Sequence, residues 1–259
     1  MLTDVLTQLP PITLEEMDAI SLMNRIDTKY TTTMPVLEEI LREAARCGYR
    51  ALVTEGTNVC SYNSTYFDTS SLKMFLDHRN RKLTRQKVRT RVYLNSGLTF
   101  LEIKRKNNQG RTKKKRIPIP PEAFPDFRPF PEAAAYLQAQ SAFAAEELSP
   151  SLETAFDRIT LVNPEMTERL TIDTSVRFHN NRNGCDASLG DGVVIELKQD
   201  GRAMSRMKEI LLGKRVKPVR VSKYCIGTVL TDPHCRPGRF KLKIRSIEKV
   251  IHKRLLPIC

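Results

Sequence analysis

In this 259-residue chain, five stretches (25–29, 89–91, 102–106, 169–173 and 196–198) set charged residues at every second position, Thr171 apart, with aliphatic residues or Thr between them except at Arg105. Successive side chains of a strand point to opposite faces, so each stretch predicts a strand with one charged face and one largely apolar face. A single such face would be an ordinary solvated surface, and a Glu-x-Lys pair within it a weak cross-strand ion pair. Five of them, rich in Lys and Arg with a few carboxylates, predict faces that converge on one polyanionic ligand and a metal ion. Two cations about 6 Å apart repel by roughly 3 kcal/mol at an effective dielectric of about 20, so many such faces can meet only around anions and water. Phosphate oxygens suit them, since Arg donates bidentately and Lys acts as a point charge. Glu102 and Glu196 are poor phosphate partners and better suited to a hard divalent cation that bridges to phosphate oxygens.

Composition points the same way. Lys and Arg number 43 against 29 Asp and Glu, a net charge of +14, which predicts an anionic partner. Aromatic residues make up 7% with no Trp, thin for a protein that stacks on bases. The run Lys113-Lys114-Lys115-Arg116 keeps a nucleic-acid binder among the alternatives, although charge runs are usually solvated. The six Cys form no C-x-x-C pair and fit a reducing compartment, and the four His show no metal spacing. No secretory signal and no run of about 20 apolar residues is evident, so a soluble cytoplasmic protein is expected.

Along the chain, Thr13-Leu14-Glu15-Glu16 has capping-box form and predicts a short helix to Met23. A strand at 25–33 and a helix opened by Pro35 and closed by Gly48 follow. Strands are expected at 57–68, 85–94, 98–106, 111–119, 152–163, 168–179 and 192–199, with Asn95-Ser96-Gly97 as a hairpin turn. Helices are expected at 71–78, 132–147, 203–213 and 222–230, the last capped by Ser222, and a Pro-rich connector at 118–131. The tail 239–254 is basic and alternates weakly, without a clear assignment. About eight mostly antiparallel strands predict an α+β fold: a closed or nearly closed barrel with its charges inside and amphipathic helices over the apolar outer face.

In order, the chain reads Arg25-Ile-Asp-Thr-Lys29-Tyr30, Tyr66-Phe-Asp-Thr69, Arg89-Thr-Arg91, Glu102-Ile-Lys104-Arg-Lys106, Phe156-Asp-Arg158, Arg169-Leu-Thr-Ile-Asp173, Glu196-Leu-Lys198 and Ser222-Lys223-Tyr224. This series resembles the VTC domain, the polyphosphate polymerase domain of the vacuolar transporter chaperone complex and its bacterial relatives. That domain is one of the triphosphate tunnel metalloenzymes, with the CYTH-type triphosphatases and class IV adenylyl cyclases. The resemblance spans residues 20–230 and implies one domain over 1–259 with a basic tail at 236–259. It implies an antiparallel barrel whose tunnel binds triphosphate with Mn²⁺ or Mg²⁺, passing the γ-phosphate of ATP to a growing polyphosphate chain and releasing ADP.

Carried over, Lys29, Arg89, Arg91, Arg158, Arg169 and Lys223 would act in catalysis, and Lys104, Lys106, Lys198 and, from the run Lys113 to Arg116 whose register stays open, Lys115 would hold substrate. Glu196 would be the main metal ligand and Glu102 a second. Inorganic polyphosphate, triphosphate and pyrophosphate are the implied ligands beside ATP, and no nucleic acid is expected. Because the eukaryotic complex threads its polymer across a membrane, a separate membrane-protein partner and a peripheral place at the inner membrane face are open. Two departures stand out. Arg25-x-Asp27-x-Lys29 replaces the Glu-x-Glu-x-Lys of related triphosphatases, which favours transfer to a chain over hydrolysis. Phe156 stands where the family usually has Tyr, which keeps a non-catalytic binding module as an alternative beside the triphosphatase.

Overall fold

The computed structural model describes residues 2–18, 25–201 and 204–256. The first part of the chain runs α1 (Leu2–Leu6), β1 (Pro11–Ile12), α2 (Leu14–Asp18), β2 (Arg25–Thr33), α3 (Met34–Arg46), β3 (Arg50–Leu52), β4 (Cys60–Asp68), α4 (Lys73–Arg79), β5 (Arg85–Tyr93), β6 (Thr99–Lys106) and β7 (Thr112–Pro118). It continues through α5 (Pro131–Gln140), β8 (Ser149–Val162), β9 (Glu168–Asn180), β10 (Asp186–Ser188), β11 (Gly192–Asp200), α6 (Arg206–Gly213), α7 (Lys223–Thr231) and α8 (Phe240–Ile251). The far end of the first predicted helix, 19–23, and the predicted start of α6 at 203 lie outside the described residues.

Eight strands form one curved antiparallel sheet in the order β2-β11-β9-β8-β4-β5-β6-β7. No ladder joins β2 to β7, so the sheet is a half-barrel, yet residues of both strands line one cavity. The free edge of β2 is met by the 218–219 segment, where the Val219 amide donates to the Lys29 carbonyl at 2.7 Å, and by α8.

The outer face is apolar and covered, as its alternation requires. Ile159, Leu161, Leu170, Ile172, Ile195 and Leu197 bury against α1, α3 and α6. Helix α3 presents Leu37, Ile40, Leu41 and Ala44 at the spacing of one helical face, opens with Pro35 in its first turn, and ends before Gly48, whose φ of +75° suits glycine. Val88, Leu101 and Ile103 bury against α5.

The C-terminal helices depart from the expected outer cover, because α7 and α8 pack on the concave side. A β-bulge makes this work. Between Ala155 and Asp157, β8 has one residue where β9 has two, Ser175 and Val176, and Ser175 takes a left-handed φ of 52°. Before the bulge, β9 turns Arg169, Thr171 and Asp173 inward; after it, Val176, Phe178 and Asn180 are buried, and Arg177 and His179 face out. The concave face thus changes from charged to apolar, and α7 settles on the apolar part.

Gly227 sets how close α7 comes. A Cβ there would lie 2.5 Å from the Phe178 ring and 2.6 Å from a Leu152 methyl, both buried. Gly227→Ala is therefore expected to cost about 1–3 kcal/mol by overpacking and to lift the helix that carries Lys223 at its start. A chemical-denaturation midpoint equal to that of the wild type would refute this close approach.

Candidate functional site

Residues paired across a ladder share a face, so the register alone gathers the charges. Across β2, β11 and β9, Lys29 faces Glu196 and Thr171, and Asp27 faces Lys198 and Arg169. Across β5, β6 and β7, Arg89 faces Glu102 and Arg116, and Lys87 faces Lys104 and Lys114. Arg158 of β8 sits opposite Asp173. The result is a cavity of about 520 Å³ whose lining includes 13 Lys and Arg but only three carboxylates, Asp27, Asp173 and Glu196.

Each carboxylate has an assigned cation. Asp173 accepts from Arg158 Nε at 2.6 Å and Nη2 at 2.9 Å, and also from Lys223. Glu196 takes Lys29 on Oε1 at 2.6 Å, while Oε2 lies 4.0 Å from Lys198. Asp27 pairs with Arg25 at 2.7 Å. Glu102, set in the wall between Arg89 and Lys114, is held by both.

Aromatic rings back the cations where carboxylates run out. The guanidinium of Arg91 donates to Ser64 Oγ at 2.9 Å and sits 5.4 Å from the Tyr62 ring and 5.6 Å from the Phe156 ring. Arg158 lies 5.1 Å and the Lys223 ammonium 4.2 Å from the same Phe156 ring. Phe156 therefore serves three cations through its face, a role that needs no hydroxyl. Tyr66 stacks on Tyr224 at 5.0 Å and accepts from Arg89 at 3.0 Å. Tyr224 in turn donates to Asp68, which also caps the start of α4 through the Met74 and Phe75 amides, tying α7 to α4.

Titration follows from crowding. Burial would raise the carboxyl of Glu196, but Lys198, Lys29 and Lys104 bring it down to about 2. Burial likewise opposes Arg158 and Lys223 at Asp173, and Arg89, Arg91 and Lys114 at Glu102; in both places the cations win and the pKa is lowered. Burial, reinforced by Arg89, lowers Arg91 to about 10. Tyr66 falls to about 8, its burial overcome by Arg89, Lys87 and Arg91.

Burial also brings Lys198 to about 8 against the attraction of Glu196, with Arg158 and Arg169 adding repulsion. Between about pH 8 and the ordinary 10.5, the unfolded chain holds more protons at this lysine, so the empty fold gains stability from it as pH rises. An anion facing Lys198 reverses the preference by holding the proton on. Tripolyphosphate binding is thus expected to take up a proton above about pH 8. It should also weaken there relative to Lys198→Arg, as titration calorimetry in buffers of different ionisation enthalpy would report. Identical pH profiles for the two proteins would take Lys198 away from the anion.

Of the residues singled out from sequence, Lys29, Arg89, Arg91, Lys104, Lys106, Arg158, Arg169, Lys198, Lys223 and Glu196 line this cavity together. Lys115 does not: it turns to the outer face and donates to Gln140 at 2.7 Å. The inward residue of that run is Lys114, paired with Lys104, because alternation from Thr112 leaves 113 and 115 outside. Glu102 faces inward in the wall, where its oxygens pair with Arg89 and Lys114. Sequence reading missed Arg25, Lys87, Arg85 and Ser222 as lining residues. Extending the alternation of 89 and 91 back by two and four positions would have found Lys87 and Arg85. Among the described residues, no group of three or more His, Cys, Asp or Glu gathers at metal-binding distance. No helix there is long and apolar enough to cross a membrane.

Comparison with known proteins gives one family match, to the model described as the VTC domain, over residues 24–231. No curated protein matches the sequence. Similar solved structures include a putative adenylate cyclase of Vibrio parahaemolyticus, with 10% identity, 80% of this chain and 99% of that one covered, and a TM-score of 0.48. Another is a putative adenylyl cyclase of Hippeastrum described as having a dominant triphosphatase activity, at 15% identity, 78% and 94% coverage and a TM-score of 0.47. A protein of Pyrococcus horikoshii OT3 matches at 13% identity, 78% and 95% coverage and a TM-score of 0.43.

Proposed function

The chain belongs to the VTC domain family, and from that premise we propose that it is a divalent-metal-dependent polyphosphate polymerase, moving the γ-phosphate of ATP onto an inorganic polyphosphate chain. The observation that carries this reading is the excess of thirteen cations over three carboxylates around a cavity of about 520 Å³. Such a lining suits a ligand with a negative charge on every repeating unit, and the phosphate chain is that ligand.

In the proposed step, a terminal oxygen of the chain attacks the γ-phosphorus, a new P–O–P link forms, and the bond to the β-bridging oxygen breaks. ADP leaves with the bonding electrons. The attacking phosphate oxygen is already deprotonated near neutral pH, so no general base is required, and the protein's task is alignment and charge stabilisation. Arg89 and Arg158, each fixed by a carboxylate, would orient the phosphates, and Arg91, backed by Tyr62 and Phe156, would meet the charge that develops in transfer. Lys29, Lys104, Lys106, Lys114, Arg169, Lys198 and Lys223 would hold the rest of the chain, with Ser222 and the start of α7 adding donors.

A Mg²⁺ or Mn²⁺ ion fits this lining through Glu196. Its Oε2 is the cavity's least engaged carboxylate oxygen among the ion pairs described, and such ions commonly bind by one carboxylate plus substrate phosphates. Bound there, the ion would neutralise phosphate oxygens.

The test is product analysis with purified protein, Mn²⁺ and γ-labelled ATP. Label in long acid-labile chains, with ADP formed in step, is the expected result. Label confined to orthophosphate would make the protein a triphosphatase, and tight tripolyphosphate binding without turnover would make it a binding module.

A further inference from the structure

Helix α8 lies beyond the family-matched residues, and its one inward cation ends up beside the cavity's rim. Phe240, at the start of α8, has its ring 6.0 Å from that of His78, which lines the cavity. The Lys243 ammonium sits 4.9 Å above the same Phe240 ring. Arg85 at the start of β5 lines the cavity, Arg220 precedes the lining residue Val221, and their charges, with that of Arg81 from the turn after α4, reach the Lys243 ammonium. Burial first, and then the charges of these three arginines, lower the Lys243 ammonium below its ordinary range despite the pull of Cys225.

None of these four cations has a carboxylate partner among the described residues. The nearby carboxylate of Asp77 is already taken by Lys73 and Lys82. Four segments of the chain therefore bring positive charge without a carboxylate partner to the cavity's rim, at a cost in repulsion that a passing polyanion would relieve.

We propose that Lys243, Arg81 and Arg220, continuing from the lining residue Arg85, form an outer phosphate-binding station that grips the part of a long inorganic polyphosphate chain projecting beyond the cavity. This rests on the proposed phosphate-chain function and deepens it. A triphosphate is short enough to stay among the cavity's own cations and does not need the station. A long chain reaches it and gains contacts there, so the station selects for length and keeps the polymer attached between transfers.

The test compares the wild type with the double variant Lys243→Gln, Arg81→Gln, neither residue being part of the cavity lining. Affinities for tripolyphosphate and for long-chain polyphosphate are measured at several salt concentrations. The double variant is expected to lose about five- to thirtyfold in long-chain affinity, as two charge contacts are removed. Its salt slope for the long chain should fall by about two, with tripolyphosphate affinity within about twofold of the wild type. Lys243→Arg should bind both ligands as the wild type does.

Unchanged long-chain affinity, or an equal loss for both ligands, would overturn the station. So would a wild type that binds both ligands equally. If the wild type releases only orthophosphate yet shows the length selectivity, the polymerase reading falls and the station stands.

Discussion

Asp173→Asn should destabilise the ligand-free protein by about 3–5 kcal/mol, and tripolyphosphate should restore most of the loss. Asp173 is 3% exposed and neutralises both Arg158 and Lys223, which the variant leaves half-buried without a counter-charge. For a chain of this length, each kcal/mol moves the melting temperature by roughly 2–4 °C. Because the carboxyl pKa is lowered from 3.8, its contribution is fully present above that value and is lost only as pH falls through the lower, folded-state pKa. The deficit should therefore be constant across neutral pH. Phosphate supplies the missing negative charge, so the melting-temperature gain on adding tripolyphosphate should be larger in Asp173→Asn than in the wild type. Equal gains, or an unshifted melting point, would mean that Arg158 and Lys223 do not face the anion.

Glu196→Gln should separate binding from turnover. It removes the carboxylate proposed to hold the metal, and a drop of at least about 10²-fold in Mn²⁺-dependent turnover is expected. It also frees Lys29 and Lys198, which Glu196 now engages, to act on the substrate. Metal-free affinity for tripolyphosphate should therefore rise while activity collapses. A variant that keeps its activity would remove Glu196 from the metal, and one that loses both binding and activity would make it a structural counter-ion. Titrating Mn²⁺ separates the cases further, since a weakened ligand set raises the metal concentration needed for half-maximal rate.

Which parts of this site were legible in sequence follows from how strands mark their phase. Arg89-Thr90-Arg91, Glu102 to Lys106, Arg169 to Asp173 and Glu196 to Lys198 carry their own alternation, with Val, Leu or Ile at opposite-face positions, and each faces the cavity as read. The run from Lys113 to Arg116 contains no apolar residue to fix its phase. Only pairing with Lys104 and Lys106 across the ladder decides that 114 points in and 115 out. The paired oxygens of Glu102 were equally hidden, since Lys114 reaches it from a neighbouring strand. In the tail, Phe240, Ile244, Ile247 and Ile251 do recur at helical spacing, but the basic residues between them mimic a strand. Helix α1 has only five residues and is held by packing on α3, which local sequence does not report.

The extra residue at Ser175 makes β9 two half-strands in opposite phase, and this governs how the chain can be recombined. Deleting one residue there would send Arg177 and His179 beneath α7 and expose Val176 and Phe178. A chimaera that borrows the first half of β9 from a relative can alter the ligand-facing charges alone, provided its crossover precedes Ser175. A crossover beyond it must bring the partner's C-terminal helices as well. The strand therefore has a built-in seam, with specificity on one side exchangeable and the hydrophobic platform on the other inherited as a block.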